Sequence, residues 1–348
     1  MTGFLGELSA KLADRWLSLL VLPGLLLVAA ASAAGILGQA HALDITLLRA
    51  KITAVASAPG AHSPGVLLLA VGGILAASAL AGLAGAVLGG VISRLWTAVG
   101  PAELPGAHGI SVGIRRCLPS HWLTTARIRR WRERDRDWEK ARAAAVPLRR
   151  DAALITRGFA VPPVPLGTTS QPGTSPANSA EIVAAAEAAT RASDAALARR
   201  NRIATLPPSR PTWIGDRFHV TEQRITTRYH LDIGVAWPRL WALLPDNLRA
   251  DLAAAYDAYT AASRLIGWAL LYAALGAWWW PSLVIAAVTG LTGWTHGRTA
   301  AAVLADLIET TVDLHGRTLA SQLGLACHGP LTADGGYEIT AHLRKDLT

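Results

Sequence analysis

The sequence predicts a mainly α-helical, polytopic membrane protein: four transmembrane helices in two hairpins, helical cytoplasmic segments and a Pro-rich linker. Three observations predict it. Charged residues are 16% of the chain, against roughly 25% in soluble domains, while hydrophobic residues reach 51%. The charges avoid three long stretches: 16–43, 52–93 and 265–297 hold no Lys, Arg, Asp or Glu. An uncharged apolar run of roughly 18 residues or more reads as a transmembrane helix, because about 20 helical residues cross a hydrocarbon core. Finally, Trp278, Trp279 and Trp280 fall at one end of the last pair of spans and Trp268 and Trp294 near the other. Indoles prefer the headgroup level, so this spacing matches two interfacial belts.

The first hairpin, 1–97, carries spans at 16–38 and 65–96. Lys11 and Arg15 ahead of an apolar run and Ala40-His41-Ala42 after it resemble a signal peptide. The run from Trp16 to Ile36 exceeds the roughly 7–15 apolar residues of such a leader, so a retained span is expected. Pro23-Gly24 is expected to kink it. In the connection 40–64, Ile45, Leu48 and Ile52 share one helical face, which predicts a short surface helix ended by Ser57-Ala58-Pro59-Gly60. The second span is rich in small residues. Gly85 and Gly89 form a GxxxG pair, beside a row of Gly82, Ala86 and Gly90, and such rows let helix backbones approach closely in lipid. The partner helix is left open.

Segment 98–158 is basic. From Arg115 to Arg150 there are 12 Lys or Arg and 4 Asp or Glu, so this stretch supplies most of the chain's net charge of +9. Arg, Asp and Glu alternate from Arg127 to Arg142 as on a solvated helix. Arg and Trp interleaved also occur in single-strand nucleic-acid binders. The four acids dilute the field, and a basic helix beside a bilayer gains about 1 kcal/mol per Lys or Arg from anionic headgroups. The favoured partner is therefore the bilayer's anionic headgroups at the cytoplasmic face, not nucleic acid. Segment 159–206 begins with a Pro-rich linker over 159–180 and continues as an Ala-rich helix.

Segment 207–263 is dense in Trp, Tyr, Arg and Pro. It contains Pro211-Thr212-Trp213-Ile214-Gly215-Asp216, then Arg228-Tyr229-His230-Leu231-Asp232, then Trp237-Pro238-Arg239-Leu240-Trp241-Ala242-Leu243-Leu244-Pro245. Thr212 is expected to accept a capping bond before Gly215 turns the chain. Arg228 and Arg239 are expected to pair with Asp232 or Asp216, and Trp237 and Trp241 to sit at the membrane interface. Asp246 or Asn247 is the expected N-cap of a helix leading into the second hairpin, 264–298. Its spans, 264–280 and 281–297, are divided by Pro281. From 299 to 325, Leu304, Leu307, Ile308, Thr311, Val312, Leu319 and Leu323 fall near one helical face, so the last span is expected to extend into an amphipathic helix. In the tail, Asp334-Gly335-Gly336 predicts a turn and 337–343 a short strand.

The three motif stretches resemble a family of bacterial, by composition actinobacterial, integral membrane proteins that share a PTxxGD/N…RYxxD…WPRLxxLLP pattern ahead of a hydrophobic hairpin. The likeness covers about 207–325. It implies membrane residence and brings no activity with it. From their residue types, Thr212, Gly215, Asp216, Arg228, Tyr229, Asp232, Trp237, Arg239 and Trp241 are expected to form a folded juxtamembrane platform, either a partner-binding surface or a structural anchor that fixes the hairpin's angle.

Lys and Arg flank the spans on one side: Lys11 and Arg15, the basic segment, Arg264 and Arg298. The positive-inside rule places both termini in the cytoplasm and the protein in the plasma (bacterial inner) membrane. No P-loop, HExxH or GxSxG occurs, and Cys117 and Cys327 lie in no metal-ligand spacing. No catalytic residue, cofactor or metal is therefore expected. No span carries a central charge of the kind coupled transporters use. The expected function is non-enzymatic: a membrane-embedded interaction, scaffold or signalling component with a cytoplasmic binding surface for a protein partner or a second copy. The alternative is an oligomeric pore. An enzyme would need Arg228, Tyr229, Asp232 and Arg239 to converge.

Overall fold

A computed structural model describes residues 22–57, 63–98, 119–158, 176–327 and 329–344. The described residues form ten helices, so the protein is mainly α. The chain divides into two compact units. One is Met1–Trp96 with Thr221–Thr348; the other is Thr97–Val220.

The first unit opens with α1 (Leu22–Leu37), α2 (Ile45–Ala56) and α3 (Pro64–Trp96). Residues 16–21 of the first expected span and 58–62 of its connection lie outside the described residues. Asp44 caps α2, its Oδ1 accepting from Leu47 N at 2.9 Å. Among the described residues one helix, α3, is long and apolar enough to cross a membrane, and only 11% of its most apolar stretch is buried.

Helices α8 (Asp246–Leu275) and α9 (Pro281–Gln322) form a long antiparallel hairpin. The third expected span stops at Leu275, because 276–280 form the turn. Pro281 opens α9, where its missing N–H costs no helical bond. The cap of α8 differs from expectation. Pro245 occupies the cap position and Asp246 is the first helical residue, with no side-chain cap bond. Its carboxylate instead complements the helix's positive end.

Helix α3 lies against α8 through its glycines. A Cβ on Gly85 would come within 2.9 Å of Trp268, one on Gly89 within 2.8 Å of Arg264, and one on Gly267 within 2.7 Å of the Gly85 carbonyl. The glycine pair therefore serves contact within the chain. At the far end of α3, Trp96 meets Tyr259 in a tilted contact at 5.6 Å and Trp294 edge-on at 6.3 Å, its ring filling the space over Gly297.

The remaining part of this unit packs α9 beyond about residue 304 with the end of α6 (Trp213–Tyr229), α7 (Ile233–Leu243) and α10 (Ala333–Arg344). Its core is made of large apolar side chains, including Ile225, Leu231, Leu240, Val312, Leu319 and Ile339. The strand expected at 337–343 is a helix instead. Thr332 Oγ1 accepts from Gly335 N at 3.3 Å to start it, and Gly336 lies directly on the Tyr229 carbonyl, where no side chain fits. Burial of Ile339 against α7 and α9 outweighs the β-propensity of the stretch.

The second unit is an antiparallel helical hairpin, α4 (Pro119–Thr156) and α5 (Pro176–Asn201), followed by the start of α6. Ala145, Ala186 and Ala196 are buried, so alanines supply much of its core. Of the expected Pro-rich linker, 159–175 lies outside the described residues, and 176–180 already belong to α5.

Candidate functional site

The motif residues gather at two separate places. The first is the start of α6, in the second unit. Thr212 Oγ1 accepts from Gly215 N at 2.9 Å. Gly215 and Asp216 are buried. Asp216 Oδ1 accepts from Ser209 N at 2.9 Å and Arg210 N at 2.8 Å, and its Oδ2 is 2.6 Å from Arg127 Nη1. The same guanidinium donates to the carbonyls of Arg210 (2.5 Å) and Ile203 (2.7 Å). One Arg from α4 thus fastens the whole irregular stretch before α6.

One helical turn along α4, Trp131 Nε1 donates to Ala204 O at 2.9 Å. Arg200 lies over the rings of Trp131 (5.6 Å) and Trp138 (4.5 Å) and reaches Asp135 at 3.0 Å. The basic segment therefore has two faces. Arg127 is spent on internal bonds, whereas Arg129, Arg130, Arg132, Arg136 and Lys140 are exposed.

The second place lies in the first unit. Tyr229, buried, donates its hydroxyl to Asp313 Oδ1 at 2.5 Å. Burial first, and then the hydrogen bond to the Asp313 carboxylate, raise its pKa above the usual phenol value. Asp232 caps α7, accepting from Gly234 N (3.0 Å) and Val235 N (3.4 Å), and Arg344 donates to its other oxygen. Desolvation pushes its pKa up, but the Arg344 bond and the backbone N–H groups outweigh it and hold the carboxylate below its ordinary value. Thr340 Oγ1 accepts from Asp232 N at 3.0 Å, donates to the Gly336 carbonyl at 2.9 Å and lies 3.3 Å from the His230 carbonyl. Between them His230 adopts the left-handed conformation, φ 50°, that ends α6.

The expected pairings of Arg228 and Arg239 with Asp216 or Asp232 do not form. Asp216 is held by Arg127 and Asp232 by Arg344. Arg228 lies 5.3 Å over the Tyr229 ring, and Arg239 Nη1 donates to Val235 O of its own helix at 3.1 Å. The reason is helix geometry. Asp232 turns inward to cap α7, while Arg239 points to solvent. Arg228, Tyr229, Asp232 and Arg239 thus go to separate partners. Trp237 and Trp241 are half-buried, with ring centroids 6.2 Å apart.

At the hairpin tip the three Trp residues separate. Trp279 Nε1 donates to Ala42 O at 2.8 Å, and Gln39 bridges the carbonyls of Gly276 (3.0 Å) and Ala277 (2.9 Å) and the Trp280 N–H (3.2 Å). Trp278 and Trp280 stay exposed.

Asp313, Thr340, Arg344, Arg127 and Gln39 were not singled out by sequence reasoning as partners of these motifs. Each lies about 80 to 240 residues from the group it holds, so no local spacing could signal it. Among the described residues no group of three His, Cys, Asp or Glu is placed to hold a metal ion. The chain matches no family model, no curated protein and no solved structure.

Proposed function

We propose that this chain is a four-span integral membrane protein whose two hairpins anchor a cytoplasmic interaction surface. One observation carries the reading: a single helix, α9, changes its burial pattern partway along. From Pro281 to Gly297 its small residues Ser282, Ala286, Gly293 and Gly297 face inward, and Leu283, Val284, Ile285, Val288 and Leu291 face out. Beyond Arg298 the large residues Leu304, Val312 and Leu319 join small ones such as Ala301 and Ala305 on the inward face, and Asp306 and Asp313 join Val303 and Leu314 on the exposed one. Helix α3 follows the first pattern, burying Ser78, Gly82, Gly85 and Gly89 and exposing its leucines and valines. Large apolar groups outside and small ones inside suit lipid, where tails solvate leucine and close backbone contact drives association. In water such a surface would be unstable.

The spans are α1, α3, the second half of α8 and the first half of α9. The cluster of Trp96, Tyr259 and Trp294, with Arg94 and Arg298 beside it in sequence, marks the cytoplasmic headgroup level, and Trp278 and Trp280 the outer one. The exposed Arg129, Arg130, Arg132, Arg136 and Lys140 form a surface for anionic headgroups or an acidic partner on the cytoplasmic side.

Cysteine labelling tests this in a Cys117→Ser, Cys327→Ser background. In intact cells a membrane-impermeant maleimide should label Ser57→Cys and Trp278→Cys, and Arg191→Cys and Glu338→Cys only after lysis. Labelling of Arg191→Cys from outside, or release of the protein by alkaline carbonate, would refute the arrangement.

A second reading, assembly into an oligomeric pore, has one observation in its favour. Every residue of α3 from 64 to 77 is exposed, and Gly72 and Gly73 face open space. This stretch is the part of α3 free to meet another copy. Dye leakage from liposomes that Gly72→Leu abolishes would support it; tight liposomes would remove it.

A further inference from the structure

Between α3 and α8 runs an open groove of about 950 Å³. Its α3 wall presents Ala86, Gly90 and Arg94, at helical spacing on one face, and its α8 wall Asp257, Ala261 and Arg264. The groove has a polar end and an apolar end. Arg94 and Asp257 lie toward the Trp96 and Tyr259 level. Gly90 and Ala86 continue toward the middle of the hairpins, and Gly90 has nothing within 4 Å of where a Cβ would stand.

Arg264 is the unusual member. It packs alongside Gly89, with its Cγ 2.8 Å from a Cβ placed there. Five residues of helix separate it from Tyr259, so it stands about 7 Å deeper than the aromatic cluster. A guanidinium at that depth in a bilayer calls for a counter-charge. The one carboxylate lining the groove, Asp257, is two turns nearer the cytoplasmic end.

We propose that this groove binds an anionic phospholipid of the inner leaflet, with its phosphodiester between Arg94 and Arg264 and an acyl chain along Gly90 and Ala86. The inference rests on the membrane reading above. Charge complementarity selects the headgroup: two guanidiniums against one carboxylate leave the mouth net positive, and a planar fork matches phosphate oxygens. The absence of side chains at Gly90 and beyond Cβ at Ala86 leaves width for a chain. The ligand is the lipid and not free phosphate, because phosphate alone would leave the apolar half of the groove unfilled.

The test uses the full chain, purified in a neutral detergent, with bound lipid counted by native mass spectrometry. Phosphatidylglycerol, phosphatidylcholine and inorganic phosphate are offered at equal concentration. The expected result is retention of one phosphatidylglycerol in preference to phosphatidylcholine, unaffected by phosphate. Arg264→Gln should lower that retention about fivefold, the worth of one Arg near an anionic surface. Gly90→Leu should lower it too, by occupying the groove, and it preserves the fold because no neighbour stands in its way. Lipid adsorbed on the exposed basic helix would survive both substitutions. Equal retention of the two lipids, indifference to both substitutions, or displacement by phosphate would overturn the proposal. A chain that carbonate releases from membranes would overturn the membrane reading as well; an integral chain without lipid preference overturns this inference alone.

Discussion

Arg127 Nη1 stands 2.6 Å from Asp216 Oδ2, with the two side chains only 16% and 6% exposed. The pair closes the irregular stretch between α5 and α6, since Arg127 also holds two carbonyls and Asp216 two N–H groups. Removing one partner leaves a buried charge without its counter-ion, which typically costs about 3–5 kcal/mol. Asp216→Ala should therefore destabilise the protein by about that much. Arg127→Met combined with Asp216→Ala should cost clearly less than the two singles summed. Denaturant unfolding followed by tryptophan fluorescence measures both, and additivity would show that the pair is not coupled.

Tyr229 and Asp313 join α6 to α9. A hydrogen bond to a charged group contributes about 1.5–3 kcal/mol, so Tyr229→Phe should lose an amount in that range. The pH dependence has a definite sign. Because the folded pKa of Tyr229 is raised, the native state favours the neutral phenol. Its contribution is complete below the unfolded value, about 10, and is lost as pH rises through the folded value. Wild-type stability should fall above pH ~10 more steeply than that of Tyr229→Phe. Parallel pH profiles would contradict this.

Asp232 behaves oppositely. Its folded pKa is lowered, so its contribution is present above the unfolded value of about 3.9 and is lost as pH falls through the folded one. Asp232→Ala, which also removes the α7 cap, should cost about 0.5–2 kcal/mol at neutral pH. It should also flatten the acid limb of the stability profile. Arg344→Gln should move the Asp232 pKa upward, readable by carboxyl NMR, while leaving the backbone cap bonds in place.

The glycines of α3 differ in their surroundings, and substitutions should separate them. Gly85→Leu would drive a side chain into Trp268, and Gly89→Leu into Arg264. Both should lower the melting temperature in detergent and loosen α3 from α8. Gly72→Leu meets no neighbour, so it should leave the melting temperature unchanged or raise it slightly, since Gly is the weaker helix former. Equal effects at positions 72 and 85 would mean that the α3–α8 contact is not a close-packed one.

Composition and charge spacing alone determined that the chain is mainly helical and that 64–96 is an apolar helix long enough to cross a membrane, because a lipid-length run and the 3.6-residue period are written locally. The tight approach at Gly85 and Gly89 was legible as a small-residue row, but its partner was not, since Trp268 and Arg264 lie far along the chain. The motif around Asp216, Tyr229 and Asp232 was legible as unusual composition. Only the tertiary structure decided that these residues serve two separate places and that their partners are Arg127, Asp313 and Arg344. It also turned the 337–343 stretch from an expected strand into a helix, because burying Ile339 in the α7–α9 core outweighs local propensity. Backbone period is set by neighbours in sequence. The pairing of a buried charge is set by whichever side chain the fold brings within reach, and that information exists only once the helices are packed.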